Sequence, residues 1–212
     1  MGRLKSFMTK KSGFQIQPRA LFAFALLAFV CTLLIAPISP GEVAAAMQAA
    51  PAAPTTVILV RHAEKKVVPP ENKDPDISPA GQARADELVS MFGGAGIGAI
   101  YVSQYKRTQQ TAKPLADKLG LPVTQVDARN TADLVKQIRA GAAGQVVFVV
   151  GHNNTVPELI AALGGPKLPI IPETEYDNLF ILTIQSDGTA KLLKLKYGSA
   201  VPPSGDQSMP KP

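Results

Sequence analysis

Cysteine is nearly missing from this chain. Cys31 is the only one. It lies in an apolar run and reads as filler, because Phe29 and Val30 before it are not the small residues that a lipidation site needs. The rest of the chain therefore has no disulfide framework and no thiol chemistry. Histidine is almost as scarce, with only His62 and His152. Two histidines beside arginines make a poor metal site, so no metal and no cofactor is expected. Tryptophan is absent, and no Lys/Arg run is interleaved with aromatics. Nucleic acid is therefore not an expected partner. The net charge of +6 does not argue otherwise: residues 1–46 hold Arg3, Lys5, Lys10, Lys11 and Arg19 against Glu42 alone, which is +4 of the total.

What is present begins with an uncharged run, ALFAFALLAFVCTLLIA, at 20–36. It follows a basic segment and precedes small residues at Ala44 and Ala46, the layout of a bacterial-type secretory signal. Its length is near the lower limit for spanning a bilayer, so an uncleaved anchor competes with cleavage. The expectation is a signal peptide or membrane anchor over 1–46 and an Ala/Pro linker over 47–55. The protein would be exported (periplasmic or extracellular) or anchored in the inner membrane, and would meet a membrane only through this segment. Cleavage after 46 would leave 166 residues, one domain burying roughly 70% of its unfolded surface.

From 56 to 198 the pattern alternates. Apolar β-branched runs at 57–60, 99–103, 123–127 and 145–150 predict strands, and LFILTI (179–184) with AKLLKLKY (190–197), separated by a QSDG turn, predicts a hairpin. Helices are predicted over 78–92, with Ser78 as N-cap and Pro79 at the first position, and over 107–120, with Pro114 disturbing it. Two more are predicted over 131–141 and 155–165, the last with Thr155 and Glu158 in capping-box spacing. Strand and helix in alternation imply an α/β three-layer sandwich with a mostly parallel central sheet. Residues 199–212 read as a flexible tail.

Two strands end the same way. TTVILV runs into Arg61-His62-Ala63-Glu64-Lys65, and VVFVV into Gly151-His152-Asn153-Asn154. Ligands of open α/β sheets bind at the carboxyl ends of the strands. Arg107 stands at or near a helix start, where anions are favoured. Arg61, His62, Arg107 and His152 can thus converge on one cationic spot suited to a phosphoryl group. Arginines pair with its oxygens, and a neutral histidine can attack phosphorus. Gly151 permits close backbone approach. Taken singly, each histidine reads more simply as a packing residue, Arg107 as a solvated one, and Glu158 as a cap.

Together these blocks resemble the histidine phosphatase superfamily, first branch, and within it the small bacterial phosphatases. The family's Arg-His-Gly appears as Arg61-His62-Ala63, its second block as SQYKRTQQTA (Ser103 to Ala112), and its third as Gly151-His152 before a helix. The resemblance implies a phosphoglycerate mutase-like fold and hydrolysis of a small phosphorylated substrate. A phosphotransferase or mutase, or a non-catalytic phosphate binder, are the alternatives. It implies His62 as the phosphate-accepting nucleophile and Arg61, Arg107 and His152 as the phosphate pocket. Ser103 and Asn153 complete the expected substrate-binding set. Ala63 replaces the usual glycine, which a backbone with negative φ tolerates. Asp127, at the end of its strand, is the expected proton donor. Glu175 and Asp177 are the reserve, and Asp133 reads as helix-start decoration.

Overall fold

The computed structural model describes residues 53–199. The signal or anchor reading of 1–46 lies outside the described residues, as do residues 200–212. Six strands form one sheet: β1 (Thr55–Arg61), β2 (Ile97–Val102), β3 (Val123–Gln125), β4 (Val146–Gly151), β5 (Asn178–Ile184) and β6 (Ala190–Lys196). Four helices separate them: α1 (Pro79–Phe92), α2 (Lys106–Leu119), α3 (Thr131–Gly141) and α4 (Thr155–Ala162). The sheet order is β3-β2-β4-β1-β5-β6. The first four strands run parallel, and the β5–β6 hairpin adds two antiparallel strands at one edge.

Alternation along the strands sorts side chains onto two faces. Val57, Leu59, Val147, Val149, Phe180 and Leu182 pack with Ile138 of α3 and with Val156, Leu159 and Ile160 of α4. Ile58, Val60, Phe148 and Val150 pack with Leu88 and Phe92 of α1 and with Leu115 of α2. The sheet is thus covered on both faces, which is why its central strands are continuously apolar. A fully buried leucine such as Leu59 contributes roughly 1.5–3 kcal/mol by leaving water.

Local signals mostly match the sequence. Ser78 accepts the Gly81 N–H as N-cap of α1, with Pro79 at the first position. Two local features differ. α2 runs through Pro114 without interruption. The capping box of α4 is not formed: Thr155 Oγ1 accepts the His152 N–H at 2.9 Å, which serves the site rather than the helix end. Among the described residues no helix is long and apolar enough to cross a membrane.

Candidate active site

The two histidines meet because β1 and β4 are neighbours. Arg61 is in register with Gly151, and the ladder continues one step further, with the His62 N–H donating to the Gly151 carbonyl at 2.9 Å. His62 and His152 therefore leave the sheet side by side, with ring centroids 5.4 Å apart in an edge arrangement. Gly151 is required here: a Cβ would come within 2.9 Å of Thr155 Oγ1 and Val156 Cγ2.

His62 is buried, and its Nδ1 lies 2.8 Å from the Ala63 carbonyl. A carbonyl only accepts, so Nδ1 carries the proton and Nε2 holds a lone pair. Burial, opposed by the Ala63 hydrogen bond and reinforced by the charges of Arg61, His152 and Arg107, lowers the His62 pKa from 6.5 to about 3. The ring is neutral near neutrality, as a nucleophile needs. Ala63 is fully buried, and its N–H donates to Thr111 Oγ1 at 2.9 Å. No described non-glycine residue has positive φ, so alanine fits this position without strain.

The second block joins the other two. Ser103 Oγ lies 2.9 Å from His152 Nε2 and 2.9 Å from Thr108 Oγ1. Thr108 in turn donates to the Tyr105 carbonyl at 2.8 Å. His152 is thus fixed by Nε2, and Nδ1 is the ring nitrogen left for a ligand. Burial and then Arg107 and Arg61 lower its pKa to about 4. Ser103 is buried behind His152 and does not line the cavity, so it positions His152 rather than meeting substrate. Thr111 donates to the Arg107 carbonyl at 2.7 Å while accepting from Ala63. Arg107 stacks on Tyr105, with Cζ 4.2 Å from the ring centroid, and meets Asp74 at 3.5 Å.

Arg61 is 1% exposed. One terminal nitrogen donates to the carbonyls of Pro172, Glu173 and Glu175 at 2.9, 2.9 and 3.1 Å. The other meets Glu173 Oε2 at 2.6 Å, and Nε is buried without a partner. The face of Arg61 that could bind an oxyanion bidentately is therefore half vacant and half held by a carboxylate. The same carboxylate accepts from Asn153 Nδ2 at 2.8 Å through Oε1. Glu173 thus bridges the two groups that an incoming phosphoryl oxygen would use. Arg61, His62, Arg107, His152, Asn153 and Glu173 all line one open cavity of ≈ 260 Å³.

The expected proton donor is placed differently. Asp127 bonds the Arg129 guanidinium at 3.0 and 3.2 Å and the Arg129 N–H at 2.9 Å, and it does not line the cavity. These hydrogen bonds hold its pKa down to about 2, so it carries no proton near neutrality. Glu175 is turned to Asn178 and Lys196, and Asp177 to Lys196. Asp133 lies in the first turn of α3, bonded to Gln137, and Glu158 in the first turn of α4. Glu173 is the acidic residue of the cavity lining, and the sequence does not single it out, although it stands two residues before Glu175 in the same acidic stretch. The one signal for it is that stretch itself, in a loop long enough to wall a pocket. Among the described residues, no group of three or more His, Cys, Asp or Glu is arranged to hold a metal ion.

The chain is similar to known proteins in sequence over one segment and in fold. Residues 57–131 match the histidine phosphatase superfamily (branch 1). No curated protein matches the chain. Among solved structures, the protein histidine phosphatase SixA in complex with tungstate shares the fold with a TM-score of 0.54 at 20% identity, over 66% of this chain and 96% of that one. SixA of Agrobacterium tumefaciens gives 0.52 at 22% identity, over 67% and 98%. A mycobacterial glucosyl-3-phosphoglycerate phosphatase with inorganic phosphate gives 0.53 at 16% identity, over 69% and 98%. Over 57–131 this chain thus matches the histidine phosphatase superfamily (branch 1), and its six-stranded, mostly parallel sheet has the fold of these solved phosphatases.

Proposed function

We propose that the protein hydrolyses a phosphomonoester through a covalent phosphohistidine on His62. The observation that carries this reading is the state of His62: neutral, Nδ1 tied to the Ala63 carbonyl, Nε2 unprotonated, beside Arg61, Arg107 and His152. In the first step Nε2 attacks phosphorus, the P–N bond forms and the P–O bond to the leaving group breaks. Arg61, Arg107 and His152 stabilise the charge on the equatorial oxygens. The incoming phosphoryl group displaces the Glu173 carboxylate from Arg61. Glu173, in its acid form, gives a proton to the leaving alkoxide. In the second step water attacks the phosphohistidine, Glu173 takes the proton back, and inorganic phosphate and neutral His62 are regenerated.

Hydrolysis is favoured over transfer to another acceptor because the rim is open to water: the side chains of Glu173 and Arg129 are 67% and 87% exposed. The arginines and histidines supply the charge that a metal would otherwise bring, so activity without added metal belongs to the same proposal. Export, or anchoring through residues 20–36, is a further part of it, supported by the sequence of that segment. Intact-mass measurement of the envelope fraction tests the export: a chain beginning near Met47 supports cleavage, and a full-length chain in the cytosol overturns it.

The direct test uses a ³²P-labelled aryl phosphate in the presence of a strong chelator. A rapid quench into alkali, where phosphohistidine survives, should give labelled His62. Label on another residue, or turnover restored only by Zn²⁺ or Mg²⁺, overturns the mechanism.

A further inference from the structure

The phosphate cavity has a larger neighbour. After β1 the chain makes an excursion and returns, closed at its base by a Lys65–Ile77 bridge and by the Lys66 N–H on the Asp76 carbonyl at 2.9 Å. Pro69, Pro70 and Pro75 restrict its backbone, and the Asn72 N–H donates to the Pro69 carbonyl at 3.0 Å in a turn. Asp74 accepts the Lys106 N–H at 3.1 Å, and Gln110 accepts the Ile77 N–H at 2.8 Å, so the excursion is pinned to the start of α2. It stands as a wall. Between it, Arg107 and Tyr176 lies an open groove of ≈ 520 Å³.

This groove shares Lys65 and Arg107 with the phosphate cavity. Tyr176 joins them physically: its ring is stacked under Arg61, 4.3 Å from Cζ, and lies 6.0 Å from the His62 ring. The charged side chains that line the groove are all cations, with Asp74 beside it meeting Arg107 at 3.5 Å. Lys65, Lys66, Lys73 and Arg107 line it, and no acidic residue does. Among the described residues Lys65 and Lys73 form no ion pair, and Lys66 meets Asp76 only at 3.8 Å. The wall also offers apolar surface, with Val67 fully exposed.

We propose that this groove holds the leaving group of the substrate, and that the leaving group carries a second anionic group, phosphate or carboxylate, on a small carbon skeleton. The inference rests on the phosphatase reading, since the leaving oxygen departs opposite the attacking nitrogen and the rest of the substrate must lie outside the phosphate cavity. The groove is the space continuous with that cavity. Its volume is in the range of small-molecule sites, roughly 300–1,000 Å³, rather than that of a protein-docking face. Unpaired lysines around an open groove attract an anion strongly at low ionic strength and weakly at high.

The test measures binding to the His62→Ala protein, so it needs no turnover. Fructose 1,6-bisphosphate is compared with fructose 6-phosphate, and 6-phosphogluconate with sorbitol 6-phosphate. The member with the second anion should bind about tenfold tighter, well beyond the factor of two that a second phosphate gives statistically, and the advantage should shrink as salt rises. A preference in the first pair alone assigns phosphate as the second group, and in the second pair alone, carboxylate. A preference in both assigns negative charge as such. Adding Lys66→Gln and Lys73→Gln should erase the advantage. The same two substitutions in the otherwise native enzyme should leave nitrophenyl phosphate turnover unchanged. Equal binding within both pairs, or an advantage that survives the lysine substitutions, overturns the groove assignment. Absence of turnover on any phosphate overturns the phosphatase reading instead, and the binding result still decides the groove.

Discussion

The floor of the site and its rim are built from different material. Arg61, His62 and His152 are almost wholly buried and stand at the ends of adjacent parallel strands, with Ser103 buried behind them just after β2. Each has its orientation set by a partner from another element or from the chain beside it. Glu173, Asn153 and Arg129 sit on loops and turns, and the rim side chains of Glu173 and Arg129 are mostly in water. The floor is thus preorganised before substrate arrives, whereas the rim must rearrange, because Glu173 occupies the Arg61 edge that phosphate needs. On the proposed mechanism this is a division of labour: the floor makes and stabilises the phosphoryl transfer, the rim handles protons, and the neighbouring groove holds the leaving group.

The sharpest way to break this division is His62→Ala. Turnover should fall about 10³-fold or more while vanadate still binds, since Arg61, Arg107 and His152 remain. Retention of more than about 10% of activity, a barrier change under roughly 1.4 kcal/mol, would show that the floor does not hold the nucleophile.

Next in size is Glu173→Gln. General acid catalysis is typically worth about 10²–10⁴-fold, so an alkyl phosphate should slow by about 10² or more. Nitrophenyl phosphate, whose leaving group needs no proton, should slow only a few-fold. Equal losses on both would make Glu173 a gate rather than an acid. Faster turnover and tighter phosphate binding on both would make it an internal competitor.

A pH series probes the floor without mutation. His62 at about 3 and His152 at about 4 stay neutral far below the ordinary histidine range. The acid limb of kcat/KM on nitrophenyl phosphate should therefore lie near pH 4, not near 6.5. Stability has the matching sign. The unfolded chain takes up protons first, so the contribution is complete above pH 6.5 and is lost as pH falls from 6.5 toward about 3. Urea midpoints at pH 7 and pH 5 check this, and a midpoint that rises on acidification contradicts it.

The smallest effect is expected from Asp127→Asn: less than about twofold on alkyl and aryl phosphates alike, since an exposed pair with Arg129 is worth little. A selective loss on alkyl phosphates would return the proton donor to this residue and leave Glu173 without that role.

What is legible in the sequence follows the same line between floor and rim. Residues at strand ends announce themselves, because a buried apolar run has no packing reason to stop at Arg-His or Gly-His. The four helices and six strands follow from periodicity and from Ser78, Pro79 and the QSDG turn. Thr108 and Thr111 are visible as part of a motif, but their work, on Ser103 and on Ala63, depends on which loops come within 3 Å of α2. Thr155 departs from its capping-box spacing for a related reason: a hydroxyl at a helix start caps whichever N–H is near, and here it is that of His152. Asp127 is at the right edge of the sheet, and a partner two residues along takes its carboxylate outward.

The sequence by itself determined the alternation of strand and helix, the two buried layers, the cationic character of the strand ends and the placing of both histidines there. These depend on residue type and on local period, which hydrophobic burial enforces wherever the chain goes. Only the tertiary structure decided that β1 and β4 are neighbours, that Arg61 turns toward the 172–175 carbonyls, and that Glu173 rather than Asp127 reaches the cavity. Those depend on contacts 90 or more residues apart and on loop paths, for which no local preference exists and which packing alone selects.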